Sequence, residues 1–563
     1  VTGRGGWPLN IIALPDGKPV YAGTYFPKRE WSYLLREMAS IHHGQPSELI
    51  RQAEDIHRRM QQMEEKPGRK KGGFEEGTPL KINIINLKSK FDLRYGGLLG
   101  APKFPMPSMV DFCLHYALFS GDEKTRSWFF LTLDKMACGG IYDQIGGGFS
   151  RYSTDERWHV PHFEKMLYDN AQLVSLYSKG FSLTGKSLYR EVVYNTLEFI
   201  HRELTSKEGL FFSSIDADSE GKEGAFYSWK ESEIEQLLSP DHKLFLEHFK
   251  ISEEGNWEHG ENVLWDPQEK EITLQIRNQS AKLLSAREKR IRPALDNKII
   301  TSWNAMMITG FIDAYRVFGE VSFLLKGIHS AEFLFTNVME EGGKLRRLAN
   351  SQREVPGFLD DYAFMIRTCI DLYQVTFRPE WMNRAKILVE YTLDHFHDDH
   401  SGLFFYSSSE DPALIDRRME LSDNVIPASN SVMAHNLFIL GHLLDMGKWI
   451  RLAEGMVQNM MEKISSDPSF YAHWADLQLF ITNKPYQISI AGEDWENFLK
   501  KLLPEYLPGV ILSGGTEENL EILKGKSVPG KTLIYICRDK VCFEPFGTVE
   551  EALGFLKSEI EHG

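Results

Sequence analysis

The spacing of apolar residues along most of the chain predicts α-helices. Between about residues 80 and 480, apolar positions recur every three or four residues in long segments such as 108–119, 188–204, 303–318 and 431–446. This is the period of a helix with a buried face. Loops rich in glycine, aspartate and aromatic residues separate the segments. This part of the chain is therefore predicted to be almost entirely helical.

Three glycine-containing segments repeat between these predicted helices. Tyr95-Gly-Gly-Leu-Leu, Glu208-Gly-Leu-Phe-Phe and Ser401-Gly-Leu-Phe-Phe each follow a helical segment and open a short extended piece. A unit of helix, glycine-aromatic loop and helix, repeated over about 400 residues, is typical of paired helices arranged in a toroid. The predicted fold class is mainly α, with an (α/α)6 toroid at its centre.

The two ends of the chain have a different pattern. Two strand-like runs joined by Pro15-Asp16-Gly17 precede two amphipathic helices over residues 30–64, and residues 485–563 alternate strand-like and helical segments. A charged, glycine-rich stretch after residue 64 is typical of a linker. These changes divide the chain into an N-terminal segment, a linker, the (α/α)6 barrel and a small α/β appendage, at residues 1–64, 65–79, 80–483 and 484–563. Gly525-Lys526-Ser527 lacks the partner glycine of a phosphate-binding loop.

Composition excludes several classes of function. The 563 residues are 42% apolar and 25% charged, with a formal charge of −15. This balance supplies no overall basic face for nucleic acid or an anionic membrane. No apolar run approaches the roughly 20 residues that cross a bilayer. We expect a cytoplasmic protein with a small-molecule partner, and neither nucleic acid nor membrane as a partner. The sequence does not predict the oligomeric state.

Five cysteines do not indicate a disulfide framework. Cys113, Cys138 and Cys369 stand singly in apolar segments, so buried free thiols are expected. Cys537 and Cys542 have a Cys-x4-Cys spacing beside a strand-like run. Two inert thiols are the favoured interpretation of this pair, and a disulfide or a reactive pair is the alternative.

Residues 139–170 contain the highest concentration of potential catalytic and ligand-binding side chains in the chain. Turn-forming glycines surround groups that transfer protons, bind anions or stack on rings, which is unusual for a structural connection. The candidates in this segment are Asp143, Arg151, Trp158, His159, His162, Glu164, Lys165, Asp169 and Asn170.

A helix beginning at Pro161 is predicted here, because proline is favoured at the first helical position. That helix would place His162 and Asp169 on one face and Glu164 about 200° away. His162 and Glu164 would then not reach the same cavity. The spacing of His159, His162 and Glu164 resembles metal-ligand spacing, but the intervening proline and the missing third motif disfavour a metal site. No metal or cofactor is predicted.

Other predicted helices also begin in polar loops, at residues 301–304, 359–362 and 427–430. Each start has an ordinary explanation as a helix cap. Together they favour one shared cavity, because the inner helices of a toroid point like ends at one face. Aromatic residues and carboxylates around such a cavity suit a carbohydrate. The candidates outside residues 139–170 are Asp360, Asp361, Tyr227, Trp229, Trp265, Trp303, Asn304, Tyr362, Asn424 and Asn430.

Two catalytic schemes fit these residues. Epimerisation or isomerisation needs a base next to a carbonyl, a group that returns the proton and a cation for the enolate, for which His159, His162 and Arg151 are candidates. Glycoside cleavage needs two carboxylates, for which Asp143, Glu164, Asp360 or Asp361 are candidates. The predicted catalytic set is His162, His159, Glu164, Asp143, Asp360 and Asp361. The predicted substrate-binding set is Arg151, Trp158, Lys165, Asp169, Asn170, Tyr227, Trp229, Trp303, Asn304, Asn424 and Asn430.

Several motifs resemble one protein family along the whole chain. They are Gly5-Gly6-Trp7-Pro8-Leu9, Gly23-Thr24-Tyr25-Phe26-Pro27, Ala101-Pro102-Lys103-Phe104-Pro105, residues 146–173, Phe226-Tyr227-Ser228-Trp229, Asp296-Asn297-Lys298 with Asn304, and Asp423-Asn424 with Asn430. The chain resembles the thioredoxin-domain family named after spermatogenesis-associated protein 20. The resemblance implies a thioredoxin-like domain joined to a six-hairpin (α/α)6 region, similar to N-acylglucosamine 2-epimerases and related glycosidases.

The same resemblance implies a cysteine motif upstream of Trp7-Pro8, where the proline would match the cis-proline beside a redox site. The sequence begins at Val1, and no Cys-x-x-Cys occurs in it. Residues 1–64 are therefore expected to be the C-terminal half of a thioredoxin-like domain without redox activity. A thioredoxin-like redox or binding protein is the third functional alternative.

Overall fold

The computed structural model describes residues 8–63, 79–411 and 416–562. Trp7 and most of the predicted linker at 65–79 lie outside these ranges. The N-terminal segment contains β1 (Asn10–Ala13), β2 (Pro19–Gly23), α1 (Lys28–Gly44) and α2 (Pro46–Met63). The strands pair antiparallel, with Asn10 opposite Gly23. The two strand-like runs and the two amphipathic helices predicted for this segment are thus confirmed.

The central segment is built from long helices joined by loops with very short strands. Its elements are α3 (Pro79–Lys88), α4 (Pro107–Ser120), α5 (Glu123–Cys138), β3 (Tyr152–Ser153), β4 (Pro161–His162), β5 (Lys165–Met166), α6 (Leu167–Thr184), α7 (Ser187–Glu203), β6 (Ser214–Ile215), β7 (Asp218–Ser219), β8 (Lys222–Glu223), α8 (Glu231–Leu238), α9 (Lys243–Phe249), α10 (Leu274–Arg287), β9 (Leu295–Asp296), α11 (Thr301–Phe318), α12 (Val321–Val338), α13 (Leu359–Thr376), α14 (Pro379–His395), β10 (His397–Asp398), β11 (Leu403–Phe404), α15 (Ser429–Leu443), α16 (Gly447–Ser466) and α17 (Ala472–Asn483).

Within the described residues, six of these helices close into an inner ring. Around the ring, α4 contacts α6, α6 contacts α11, α11 contacts α13, α13 contacts α15, α15 contacts α17, and α17 contacts α4. An outer helix packs on each of them: α5, α7, α12, α14, α16 and α3. Their apolar faces form one continuous core. The predicted (α/α)6 toroid is confirmed.

Short connections lie at one end of the toroid and long loops at the other. Where α6 and α11 end, Gly185 and Gly319 have φ values of 66° and 68°. Glycine enters this left-handed region without a steric penalty, so the chain turns directly into the outer helix. The longer loops, including residues 139–166 and 204–300, precede inner helices. The N-terminal ends of the inner helices therefore share the face that carries the long loops.

The C-terminal segment covers the opposite end. It contains β12 (Tyr486–Ala491), α18 (Trp495–Leu502), β13 (Val510–Gly515), β14 (Leu533–Arg538), β15 (Val541–Cys542) and α19 (Val549–His562). The sheet has the order β13-β12-β14-β15, and only β12 and β13 pair in parallel among the described strands of this sheet. Gln374 at the end of α13 accepts a hydrogen bond from the backbone N–H of Leu512, at 3.0 Å. The predicted α/β appendage is thus docked on the barrel, while the proposed domain boundaries stay predictions.

The prediction that a helix begins at Pro161 is wrong. Residues 161–166 are extended, and the helix begins at Leu167. Alternate residues of an extended segment share a side, so His162 and Glu164 lie together. Nε2 of His162 is 3.8 Å from Oε2 of Glu164. The proline therefore enters a short strand pair rather than a first helical turn.

The cysteines divide into two groups. Cys113, Cys138 and Cys369 are buried free thiols, as predicted. Cys537 and Cys542 form a disulfide across the β14–β15 pair. The favoured interpretation of two inert thiols is therefore wrong, because antiparallel pairing places the two residues directly opposite each other. None of the helices in the described ranges is long and apolar enough to cross a membrane.

Candidate functional site

A cavity of about 320 Å³ lies along the axis of the toroid. All the inner helices contribute side chains to its wall. The lining extends from Gln172 and Pro427, near the N-terminal ends of the helices, to Ser182 and Val317 at the C-terminal ends. Tyr506, after α18, completes the wall there. Small-molecule pockets typically measure roughly 300–1,000 Å³, so this cavity is large enough for a small ligand.

Polar residues line this cavity at helical spacing on helices that are otherwise largely apolar. They are Ser108, Asp111 and His115 on α4, Gln172, Ser175, Ser178, Lys179 and Ser182 on α6, Thr309, Asp313 and Arg316 on α11, Arg367 and Gln374 on α13, His435 on α15, and His473 and Asp476 on α17. Positions three or four apart lie on one stripe of a helix. The ring of helices therefore directs these stripes toward the axis.

Three of the lining groups form a hydrogen-bonded chain. Oδ1 of Asp476 is 2.6 Å from Nδ1 of His115, and Nε2 of His115 contacts the hydroxyl of Tyr506. Burial raises the pKa of Tyr506, so the phenol keeps its proton at neutral pH. It can donate to Nε2 while Nδ1–H donates to Asp476. An imidazole oriented by a carboxylate in this way is typical of a general base.

Charged pairs surround this chain. Nζ of Lys179 is 2.7 Å from both carboxylate oxygens of Asp111, whose side chain keeps 27% of its surface open to the cavity. Burial by itself would raise the pKa of Asp111, but Lys179 and His115 outweigh it and lower the pKa. Burial and the neighbouring Asp371 raise the pKa of Asp313. The surroundings in the cavity thus favour the ionised form of Asp111 and the protonated form of Asp313.

Two arginines add positive charge to the same wall. Nε of Arg367 donates to Oδ2 of Asp371 at 2.9 Å, and Arg316 lies 3.4 Å from the other oxygen of that carboxylate. Both arginines keep part of their surface accessible, whereas Asp371 is fully buried. Cations therefore face the cavity from α6, α11 and α13.

Two histidines lie side by side on the opposite arc of the ring. The imidazoles of His435 and His473 are 4.1 Å apart, and the backbone carbonyl of His473 accepts from Nε2 of His435 at 2.9 Å. Burial lowers the pKa of His435 to about 4 and also lowers the pKa of His473. Both rings are therefore neutral at physiological pH.

The depressed pKa of His435 predicts a pH-dependent stability difference. Because the folded-state pKa lies below the unfolded value, the contribution is fully present above about pH 6.5 and is lost as pH falls toward 4. The destabilisation caused by His435→Gln should therefore shrink on acidification, at up to about 1.4 kcal/mol per pH unit. Urea unfolding of both proteins from pH 7 to 4 measures it. A difference that does not change with pH would contradict a neutral buried His435.

The structure brings several sequence-predicted residues together at the N-terminal face. Nη1 of Arg151 donates to Oε2 of Glu164 at 3.0 Å, and His162 contacts Glu164 and Glu223. Burial raises the pKa of Asp169, which lies near the same arginine. These groups sit at the start of α6, about one turn above the first cavity-lining residues of that helix.

Asp360 and Asp361 lie at the start of α13 on the same face. Nη1 of Arg347 is 2.8 Å from Asp360 and 2.9 Å from Asp361. Asp361 also accepts hydrogen bonds from the backbone N–H groups of Ser302 and Phe358, which makes it a helix cap. Burial and the adjacent Asp360 raise the pKa of Asp361 to about 7. The N-cap position of α13 is Phe358 rather than Asp360, and Asp361 contributes to capping as the third residue of the helix.

Three asparagines predicted to bind substrate instead hold the backbone. Asn170, Asn304 and Asn430 each accept from and donate to the main chain of one phenylalanine, which is Phe149, Phe211 and Phe404 in turn. We call these three pairs the asparagine clamps. They join the start of an inner helix to the glycine-containing segment before it. The amide groups of these asparagines are already occupied by backbone partners.

Removing one clamp should destabilise the fold without touching the cavity. Asn304→Ala leaves the buried N–H and C=O of Phe211 without this partner, so we expect a loss of about 1–3 kcal/mol in the free energy of unfolding. Asn424→Ala is the matched control, because Asn424 is exposed and should change stability by less than about 0.5 kcal/mol. Urea unfolding compares them. Equal effects of the two substitutions would contradict the structural role of the clamp.

Other predicted residues are separated from the cavity. Asp143, Lys165 and Tyr227 line a smaller cavity of about 90 Å³ beside the end of α7. Oδ2 of Asp143 is 2.9 Å from Nζ of Lys165 and 2.8 Å from Nη2 of Arg287. Burial lowers the pKa of Lys165 to about 8, whereas Arg287 and Lys165 together lower the pKa of Asp143 against the effect of its own burial. This network joins the toroid to the loop that precedes α11.

The remaining aromatic candidates and His159 lie in packed surroundings. Trp158 is fully buried and donates to the carbonyl oxygen of Tyr95 at 2.8 Å. Trp229 is also fully buried, and His159 stacks on Trp265 at 4.3 Å. Trp303 is half-buried and contacts Tyr168 edge-to-face at 4.8 Å.

Sequence reasoning missed most residues that line the central cavity. Asp111, His115, Lys179, Asp313 and Asp476 are spread over 366 positions, so no local motif connects them. The available signal was a pair of polar residues at helical spacing on an otherwise apolar helix, as in Asp111 and His115. Among the described residues, no group of three or more His, Cys, Asp or Glu side chains is arranged to hold a metal ion.

Sequence comparison finds one family profile and several proteins that are similar to this chain. The family profile Thioredox_DsbH, described as "Protein of unknown function, DUF255", matches residues 1–61. Spermatogenesis-associated protein 20 of Rattus norvegicus is 29% identical over 612 residues, covering 96% of this chain and 78% of the relative. The chain is similar to spermatogenesis-associated protein 20 over nearly its whole length. The human protein of the same name gives the same identity and coverage. The family resemblance expected from the motifs is confirmed.

Solved structures with a similar fold include enzymes that act on carbohydrates. Cellobiose 2-epimerase from Bacillus thermoamylovorans is 10% identical, with a TM-score of 0.46 over 68% of this chain and 86% of that chain. A family 105 glycoside hydrolase from C. acetobutylicum is 12% identical, with a TM-score of 0.40 over 68% and 82% of the two chains. The assignment of the (α/α)6 fold rests on the closed ring of helices.

Proposed function

We propose that this chain is a carbohydrate-active enzyme of the epimerase or isomerase type, which binds a small sugar-like substrate in the central cavity. The observation that carries the proposal is the chain Asp476–His115–Tyr506 on the cavity wall, next to the ion pair of Lys179 and Asp111. It supplies an oriented imidazole and a cation in one enclosed space. A small-molecule partner and a cytoplasmic location remain predictions.

The wall of the cavity suits a polyhydroxylated ligand. Charged and hydroxyl groups alternate with the apolar side chains of Phe364, Phe438 and Phe480. Aromatic and aliphatic surfaces cover the C–H faces of a sugar, while carboxylates, arginines and histidines meet its hydroxyl groups. The neutral rings of His435 and His473 add groups that both donate and accept hydrogen bonds.

The proposed reaction moves a proton at the carbon next to a carbonyl. Once the hydroxyl of Tyr506 turns away from Nε2 of His115, Nε2 takes the proton, and Asp476 stabilises the resulting imidazolium. The ammonium group of Lys179 stabilises the negative charge on the enolate oxygen. Asp313, whose raised pKa favours the protonated carboxyl, returns a proton to the same carbon from its own side of the cavity. Return to the opposite face inverts the configuration.

Glycoside cleavage is the second candidate. The observation that favours it is the presence of two carboxyl groups, Asp111 and Asp313, on the wall of one cavity, with surroundings that lower the pKa of Asp111 and raise the pKa of Asp313. Two carboxyl groups whose surroundings move their pKa values apart are typical of an ionised base or nucleophile and a proton donor. In this scheme Asp313 protonates the leaving oxygen, and Asp111 acts on the sugar directly or through water.

Incubation with candidate sugars in deuterium oxide separates these reactions. A panel of aldoses, ketoses, amino sugars, sugar phosphates and disaccharides is followed by NMR. Epimerisation or isomerisation places deuterium on carbon, whereas glycoside cleavage releases a new reducing end without carbon-bound deuterium. We expect enzyme-dependent incorporation into one sugar class, lost in His115→Asn. Reducing ends without deuterium would replace the first proposal by the second. No reaction with any sugar would overturn both and favour the thioredoxin-like redox or binding alternative.

A further inference from the structure

The disulfide in the C-terminal subdomain joins one exposed cysteine to one buried cysteine. Cys542 lies on the edge strand β15 and is exposed, whereas Cys537 is 2% exposed on the inner strand β14. The two residues face each other across the antiparallel pair. An external thiolate can therefore approach the sulfur of Cys542 in line with the bond, while protein surrounds Cys537.

A buried lysine stands behind Cys537. Lys526 is 9% exposed, and its Nζ is 3.0 Å from Oγ of Ser489 and 3.5 Å from Sγ of Cys537. Within the described ranges, no carboxylate forms an ion pair with this ammonium group. Burial accordingly lowers the pKa of Lys526 to about 8. A buried cation without an anion is unfavourable, and a thiolate at Cys537 would supply that anion.

We propose that Cys537 and Cys542 form a thiol–disulfide exchange site in which Cys542 is attacked and Lys526 stabilises Cys537 as the leaving thiolate. The co-reactant is an external dithiol. This activity is separate from the chemistry proposed for the barrel and does not need the cysteine motif implied upstream of Val1. It gives the C-terminal subdomain a redox function of its own.

The exchange proceeds in two steps. One thiolate of the dithiol attacks Sγ of Cys542, which forms a mixed disulfide and releases Cys537 as a thiolate beside Lys526. The second thiolate of the dithiol then attacks the mixed disulfide and releases Cys542 as a thiolate. The dithiol loses two electrons and becomes a disulfide, and the protein disulfide is reduced. One proton of the dithiol passes to Cys542 and the other to solvent, while Cys537 stays a thiolate beside Lys526. The reverse sequence reduces a disulfide partner to its dithiol and re-forms the Cys537–Cys542 disulfide.

The other thiols of the chain do not interfere with this chemistry. Cys113, Cys138 and Cys369 are buried, and burial raises the pKa of each of them. Thiolates are the reactive form of cysteine, so these three residues should stay silent in the folded protein. Labelling experiments on the whole chain thus report on Cys537 and Cys542.

Redox equilibration of the whole chain tests the role of Lys526. The protein is equilibrated with mixtures of reduced and oxidised dithiothreitol at pH 7, quenched with an alkylating reagent and weighed by mass spectrometry. An opposite charge within about 4–6 Å lowers a thiol pKa by about 1–3 units. From an ordinary thiol pKa of about 8.5, a lowering of about 2–3 units favours the reduced protein by about 4- to 30-fold at pH 7. Lys526→Met should therefore need a reduced-to-oxidised ratio higher than wild type by about this factor for half reduction. Lys526→Arg should stay near wild type. Lys524→Met is the matched control, because Lys524 is exposed and paired with Glu521.

Two outcomes would overturn the proposal in this experiment. One is an equal half-reduction ratio for wild type and Lys526→Met. The other is a wild-type protein in which both cysteines are alkylated without any reductant.

Single-cysteine variants provide a test that does not depend on the folding of Lys526→Met. In Cys537→Ser the exposed Cys542 should react with 5,5′-dithiobis(2-nitrobenzoate) at least about tenfold faster than Cys537 does in Cys542→Ser. The opposite order of rates would overturn the assignment of Cys542 as the attacked sulfur. Neither result depends on whether the barrel acts on a sugar, so failure here is distinguishable from failure of the proposed function.

Discussion

Replacing His115 by asparagine is expected to lower kcat by about 10²–10⁴-fold on the sugar that shows deuterium incorporation. The amide nitrogen of asparagine can still donate to Asp476, in place of the Nδ1–H of the imidazole. The group that takes the proton, Nε2, is lost. Because ground-state contacts are largely retained, KM should change much less than kcat. Steady-state kinetics on the purified variant give both constants.

Two further variants complete this experiment. His201→Asn is the matched control, because His201 is exposed on the outer helix α7 and should leave kcat unchanged. Tyr506→Phe removes only the hydroxyl that contacts Nε2 and should shift the pH profile of kcat as well as lower it. A kcat for folded His115→Asn within threefold of wild type would remove His115 from the reaction.

Replacing Asp143 by asparagine is expected to reduce the free energy of unfolding by about 3–5 kcal/mol. Asp143 pairs with Lys165 and Arg287, and the side chains of the three residues are 8%, 1% and 4% exposed. The substitution preserves the shape of the side chain but leaves two buried cations without their anion. The penalty arises from these unpaired charges. Equilibrium unfolding in urea measures it.

An exposed carboxylate provides the control for Asp143. Glu123 pairs with Arg126 at the surface, so Glu123→Gln should cost less than about 1 kcal/mol. Adding Arg287→Met to Asp143→Asn should recover part of the lost stability, because one of the unpaired cations is removed. A loss below about 1 kcal/mol for Asp143→Asn would show that water or another anion replaces the carboxylate.

The helical part of the fold was predictable because its signals are local. The inner helices are long, largely apolar segments of helical length, and the repeated glycine segments lie between one pair of helices and the next. The start of α6 was not predictable in the same way. Pro161 fits a first helical turn equally well, but pairing of β4 with β3 holds residues 161 and 162 extended. Tertiary pairing here overrides the local preference.

The candidate site was harder to predict than the fold. Residues 139–170 attract attention because many polar side chains occur together, yet several of them serve the structure. Asn170 holds Phe149, and Asp143 neutralises Lys165 and Arg287. The cavity takes between one and five polar residues from each inner helix, and such residues look like ordinary exceptions in an apolar segment. Only closure of the ring brings them together.

The asparagine clamps show how a repeat can mimic a binding motif. Asn304 and Asn430 each lie near the start of an inner helix that follows a glycine-aromatic segment. The sequence alone does not distinguish an amide that binds the backbone from one that binds a sugar. On α13 the corresponding contact is made by Tyr362, whose hydroxyl accepts from the N–H of Leu345 at 2.8 Å. The shared feature is therefore a hydrogen bond from helix start to loop, not a residue type.

The most direct test of the central claim compares ligand-dependent thermal stabilisation in three proteins. Wild type, Lys179→Met and Arg151→Ala are each heated with and without the sugar identified by deuterium exchange, and the shift in Tm is taken within each protein. If the ligand binds in the central cavity, the shift disappears in Lys179→Met and persists in Arg151→Ala. A shift that persists in Lys179→Met and disappears in Arg151→Ala would place the ligand at the N-terminal face and contradict this account.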